Sequence, residues 1–182
     1  MRTCMQFGTM DVLEHGRQVT EAFRLLLEAL STGELPAGWR IPGWLQQHAE
    51  VFLSRLLPLE TLYAYQLYHD CGKPLCRITD AEGRAHFPDH AAHSERAWLA
   101  AQGDVVTGRL IGLDMAMHLA SADDMASLAA LPEAASLYLT AVAEVHANAP
   151  MFGGFESTSF KSKMKHLDRR GKALLRHWGV ES

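Results

Sequence analysis

Cysteine is scarce in this 182-residue chain, and the three present (Cys4, Cys71 and Cys76) cannot all pair. A chain of this length buries a sizeable core without covalent staples, so a disulfide scaffold is excluded and a reducing cytoplasm is the expected compartment. Long apolar runs are missing as well. Leu25-Leu26-Leu27 and the alanine-rich stretch after Asp124 fall far short of the roughly 20 residues that span a bilayer. Asp11 and Glu14 interrupt any apolar N-terminal region, so no signal peptide is expected. Neither an internal repeat nor a low-complexity tract is visible. Charge of one sign is not in large excess: the formal net charge is −4, with 21% charged and 48% apolar residues, an ordinary balance for a globular protein.

What the chain does have is histidine. There are ten, against four tryptophans and four tyrosines. Their meaning depends on the elements that carry them. Apolar residues Val12, Val19, Phe23, Leu26, Leu27 and Leu30 recur at helical steps, predicting an amphipathic helix over 12–30. Further helices are expected over 44–57 and 59–70, the latter stopped by Gly72 with Pro74 beyond. Residues 75–88 lack a helical period and contain Asp80-Ala81-Glu82-Gly83, so a short loop or hairpin insertion is expected there. Helical patterning resumes over 89–102, 105–119, 122–131, 133–147 and 159–178. The expectation is an all-α fold: one compact domain over 1–182, with a helical core at about 12–148 and a basic extension over 149–182.

The chemistry gathers around Tyr68-His69-Asp70-Cys71-Gly72-Lys73-Pro74. Adjacent His and Asp can share one metal where a helix ends and splays them, and an imidazole with a carboxylate suits Zn, Mn, Fe or Co. Upstream, His15 opens an amphipathic helix. Downstream, His86, His90 and His93 fall within eight residues. Asp114 stands in an apolar segment, where an acid is costly unless paired or metal-bound, with His118 four residues on. Glu144 and His146 repeat that situation. Cys71, beside the pair, has no histidine spacing that would make it a nucleophile.

This pattern resembles the HD-domain superfamily of metal-dependent phosphohydrolases, over roughly residues 13–148. The His-Asp-x-Gly-Lys-Pro segment followed by the histidine cluster is similar to a subgroup that includes HD-GYP-like and RNA-end-processing domains. The stretch after Asn148 resembles the extensions of small phage-encoded HD proteins. The resemblance implies a first metal held by His15, His69, Asp70 and a later acid, Asp114, with His90 leading for a second ion. His48 rivals His15 as first ligand; His86, His93 and His118 are further candidates, and Glu144 is the alternative terminal acid. One divalent ion or two (Mn, Ni, Co, Zn, Mg or Fe) would activate water, with Asp70 and Lys73 in catalytic roles. Lys73 stands where HD nucleotidases commonly carry glutamate, which leans the expected substrate toward a phosphodiester.

One charge asymmetry bears on substrate. From Ser159 to Trp178 there are seven lysines and arginines against the single Asp168, a net of +6 that leaves −10 for the rest of the chain. Lys161, Lys163 and Lys165 are therefore candidate phosphate contacts, and a nucleotide or RNA end is the expected substrate. Two other readings stay open at this stage: a di-iron oxygenase on the same scaffold, and a non-catalytic nucleotide- or RNA-binding domain. Homo-oligomerisation is open too.

Overall fold

A computed structural model describes residues 1–7 and 10–180, with backbone alone at 6 and 7. Helices take up 63% of the chain and strands only 4%, in two small antiparallel pairs. In chain order, β1 (Met5–Phe7) pairs with β2 (Met10–Asp11), and α1 (Val12–Thr32) follows at once. Next come α2 (Gly43–Gln47), α3 (Ala49–Leu53), α4 (Leu59–Tyr68) and the single turn α5 (Lys73–Cys76). A hairpin of β3 (Ile78–Thr79) and β4 (Ala85–His86) leads into α6 (His90–Ala100) and α7 (Val105–Gly112). The remaining helices are α8 (Ala116–Leu119), α9 (Met125–Ala129), α10 (Ala134–Ala147) and α11 (Thr158–His177), with a short 3-10 helix over Ala149–Phe152 before the last. Among the described residues no helix is long and apolar enough to cross a membrane.

The chain divides into two compact units. The first comprises Met1–Thr20 and Leu59–Met115. In it α7 packs against α4 and α6, and α5 packs on α6. Asp11 starts α1 by accepting a hydrogen bond from the Glu14 amide at 2.8 Å, and Asp104 caps α7 through the Thr107 amide at 2.8 Å. Each cap satisfies a donor that the first helical turn would otherwise leave unmet.

The second unit comprises Glu21–Pro58 and Ala116–Ser182. Its centre is α10, buried on nearly every face and packed against α3, α8 and α11. That burial matches a mostly apolar helix whose few polar residues include Ser136, Thr140 and Glu144. Phe52, Trp44, Tyr138 and Trp178 form one aromatic cluster, and the Trp44 indole N–H donates to Asp168 at 2.7 Å. Ser157 caps α11 through the Phe160 amide.

Several boundaries differ from those expected. The helix expected over 44–57 breaks at His48 into α2 and α3. The one expected over 122–131 is confined to α9. Gly72 does not stop a helix: it lies in the right-handed helical region and caps the start of α5, with Pro74 in that first turn. The helix expected over 105–119 is interrupted between Gly112 and Ala116, so Asp114 and His118 do not share a helix face.

Candidate metal centre

Two glycines bring the centre together. Gly16, next to His15 on α1, lies so close to the end of α4 that an added Cβ would run into the Leu67 carbonyl. Gly72, two residues beyond Asp70, lies just as close to the backbone of His93 and Ser94 on α6. The Gly72 amide donates to Ser94 Oγ at 2.9 Å, and the Cys71 thiol donates to the Ser94 carbonyl at 3.4 Å. Two helix backbones are thus held directly against the His69–Asp70 turn, one bearing His15 and the other His90. Ser94, which directly follows the histidine cluster in sequence, is a supporting residue.

His15, His69 and Asp70 are all buried, and each offers a ligand atom within 4.8 Å of the others. The distances to Asp70 Oδ2 are 3.7 Å from His15 Nε2, 3.3 Å from His69 Nε2 and 2.6 Å from Lys73 Nζ. His90 approaches the other carboxylate oxygen, with Nε2 3.5 Å from Oδ1. The His69 Nδ1–H donates to the Gln66 carbonyl at 2.7 Å, so Nε2 is the atom presented to Asp70. His90 is oriented the same way, its Nδ1 lying 3.2 Å from the Phe87 carbonyl.

Burial opposes ionisation of Asp70, but the charges of His69, Lys73 and His15, with a hydrogen bond from His69, hold its carboxyl well below the usual carboxylate range. Asp70 Oδ1 is buried without a hydrogen-bond partner among the described residues. Two imidazole nitrogens and an ionised carboxylate make a borderline donor set that fits a divalent ion. The cluster can hold one.

The other expected site residues are distributed as follows. Asp114 is buried in the break after α7, accepting a 2.7 Å hydrogen bond from the Tyr65 hydroxyl on α4. It lies outside the group of three just described, and Tyr65 is a partner the sequence did not suggest. His86 is exposed on the hairpin, its Nε2 2.7 Å from Asp80 Oδ2. His93 is half-buried on α6, and all of these belong to the first unit.

In the second unit, His48 sits at the α2–α3 break, so His15 is the histidine grouped with the pair. His118 Nε2 meets Glu144 Oε2 at 2.8 Å, between α8 and α10. Lys161, Lys163 and Lys165 are exposed on α11; Lys161 pairs with Glu156 at 2.9 Å, and Lys163 lies over the Phe152 ring. No protein-family model, curated protein or solved structure matches the chain.

Proposed function

We propose that this chain is an HD-type metal-dependent phosphohydrolase, acting on a phosphoester of a nucleotide or nucleic-acid end, with a phosphodiester such as a cyclic phosphate favoured. The observation that carries the reading is the convergence of His15 Nε2 and His69 Nε2 on the ionised, buried carboxylate of Asp70. His15, His69 and Asp70 would hold the first ion, with Asp114 as the further acid and His90 as a ligand to a second ion. Bound there, a divalent ion supplies a polarised phosphoryl oxygen and a water acidic enough to ionise near neutral pH.

The chain's own groups do the rest. Gln66 fixes the His69 ring through its carbonyl, so the ligand atom needs no reorganisation. Lys73 keeps an ammonium beside Asp70, where it meets charge building on a neighbouring phosphoryl group.

The test is phosphate release across a panel of nucleotides, cyclic nucleotides and RNA ends, with each divalent ion in turn. Asp70→Ala and His69→Ala should each lose metal binding and turnover together. Hydrolysis that survives Asp70→Ala would defeat the reading, and oxygen consumption with two bound irons would reassign the reaction.

A further inference from the structure

A second feature lies wholly within the second unit and involves none of the metal-centre residues. A cavity of ≈ 330 Å³ opens between the Ala120–Ala122 segment and α11. His166, Arg169, Arg170, Arg176 and His177 line it, and no carboxylate does among the described residues. From His166 the others follow at three, four, ten and eleven residues, which places them on one side of the helix. Ala173 at the middle of that stripe and Met125 opposite are buried, and the small alanine leaves the hollow between the long basic side chains.

One part of the wall is held in place without a ligand. Arg170 donates from Nε and Nη2 to the Ala120 carbonyl at 3.0 and 2.8 Å, which holds its guanidinium plane and leaves the Nη1 donors for another acceptor. Three acids flank the lining in sequence: Asp124 is engaged by the Ser121 amide and hydroxyl at 2.8 and 2.7 Å, Asp168 by the Trp44 indole at 2.7 Å and Lys172 at 3.2 Å, and Asp123 is exposed beside Ala122. Three guanidinium groups in one concavity repel one another, and on a chain of net charge −4 that concentration of positive charge is not a general property of the surface. Planar forked donors match phosphate oxygens two at a time, which point-charge lysines do not. The volume sits at the small end of ligand sites, enough for a phosphoryl or diphosphoryl group and part of what it is attached to.

We propose that the cavity lined by Arg169, Arg170 and Arg176 binds the phosphoryl end of a small phosphorylated ligand. This goes beyond the hydrolytic reading, because the site needs neither the metal nor its ligands.

The experiment is calorimetric titration of the full chain with inorganic pyrophosphate in the presence of a chelator, which removes the metal centre from the measurement. One saturable site is expected, its affinity falling as salt rises. Arg169→Gln/Arg176→Gln, two exposed positions, should weaken binding about tenfold or more, since each removes charge-assisted hydrogen bonds. Arg24→Gln/Lys172→Gln removes equal charge outside the cavity and should leave binding within about twofold of the parent. Asp70→Ala should also retain it, so loss of hydrolysis and loss of this site are separable. No saturable binding, equal weakening by both double variants, or binding of a phosphorylated oligonucleotide without any of pyrophosphate would overturn the proposal. Circular dichroism on each variant separates loss of the site from loss of the fold.

Discussion

Asp70 is the buried charge on which His15, His69, His90 and Lys73 converge. Its carboxylate is buried against the Lys73 ammonium, and Lys73 is itself only 8% exposed. Removing one partner of a buried pair strands the other, at a cost of about 3–5 kcal/mol. Asp70→Ala is therefore expected to lower the melting temperature sharply even with a chelator present, whereas Asp70→Ala/Lys73→Met should recover much of the loss. Thermal unfolding of the two variants in parallel checks this. His146 gives a contrasting case. It is buried, stacked on Trp39, with both ring nitrogens near backbone carbonyls (Val142 at 2.7 Å and Arg40 at 3.1 Å). Burial pushes its pKa below the ordinary 6.5, outweighing the opposing pull of those carbonyls. The unfolded chain then binds the proton more readily than the folded one. Stability should be full above about pH 6.5 and fall as the pH drops below it, and His146→Phe should flatten that slope in denaturant titrations run across this range.

At the level of elements, the site depends on two places where backbone lies on backbone. A methyl group at Gly16 or Gly72 meets main chain that cannot step aside. Gly16→Ala and Gly72→Ala should each cost more than the ~1–3 kcal/mol usual for overpacking, and should impair metal uptake in whatever fraction folds, as read by equilibrium dialysis. At Gly171 of α11 the neighbours are the Trp44 and Tyr138 side chains, so Gly171→Ala should fall inside that range and leave metal uptake unchanged. These contacts also explain what the sequence could and could not say. Periodicity showed α1, α6, α10 and α11, because each alternates or saturates apolar positions at helical spacing. The His69–Asp70 pair stood out through the Gly-Lys-Pro that follows it and the histidines downstream, and His15 through the family pattern that this segment resembles. Gly72 was misread as a stop signal, since a glycine before a proline looks the same whether it ends a helix or makes room for one. The break after α7 was equally hidden. Leu113, Asp114 and Met115 continue the preceding pattern, and only the tertiary bond from Tyr65 shows where Asp114 is held.

For the molecule as a whole, the residues proposed to hold metal are gathered in one of its two units. The proposed ligands His15, His69, Asp70, His90 and Asp114 all fall in the first unit. A ligand that binds only the folded form stabilises it by mass action, by roughly 2.7 kcal/mol at a hundredfold excess over the dissociation constant. Saturating metal should therefore slow amide exchange most over 59–76 and 90–112, with little change in α10 and α11. Pyrophosphate should give the opposite map, centred on α9 and α11. Hydrogen exchange followed by mass spectrometry reads both in one series.

The bond from His69 to the Gln66 carbonyl has one more consequence. It commits Nδ1 to a proton at all times, so any second proton on that ring must sit on Nε2, facing Asp70. A proton and a metal ion then compete for one nitrogen. Uptake of a metal ion by the proposed centre would therefore be an exchange reaction that releases protons, with an affinity that rises with pH. The heat of binding should accordingly change from one buffer to the next in proportion to the buffer's own ionisation enthalpy, which counts the protons released.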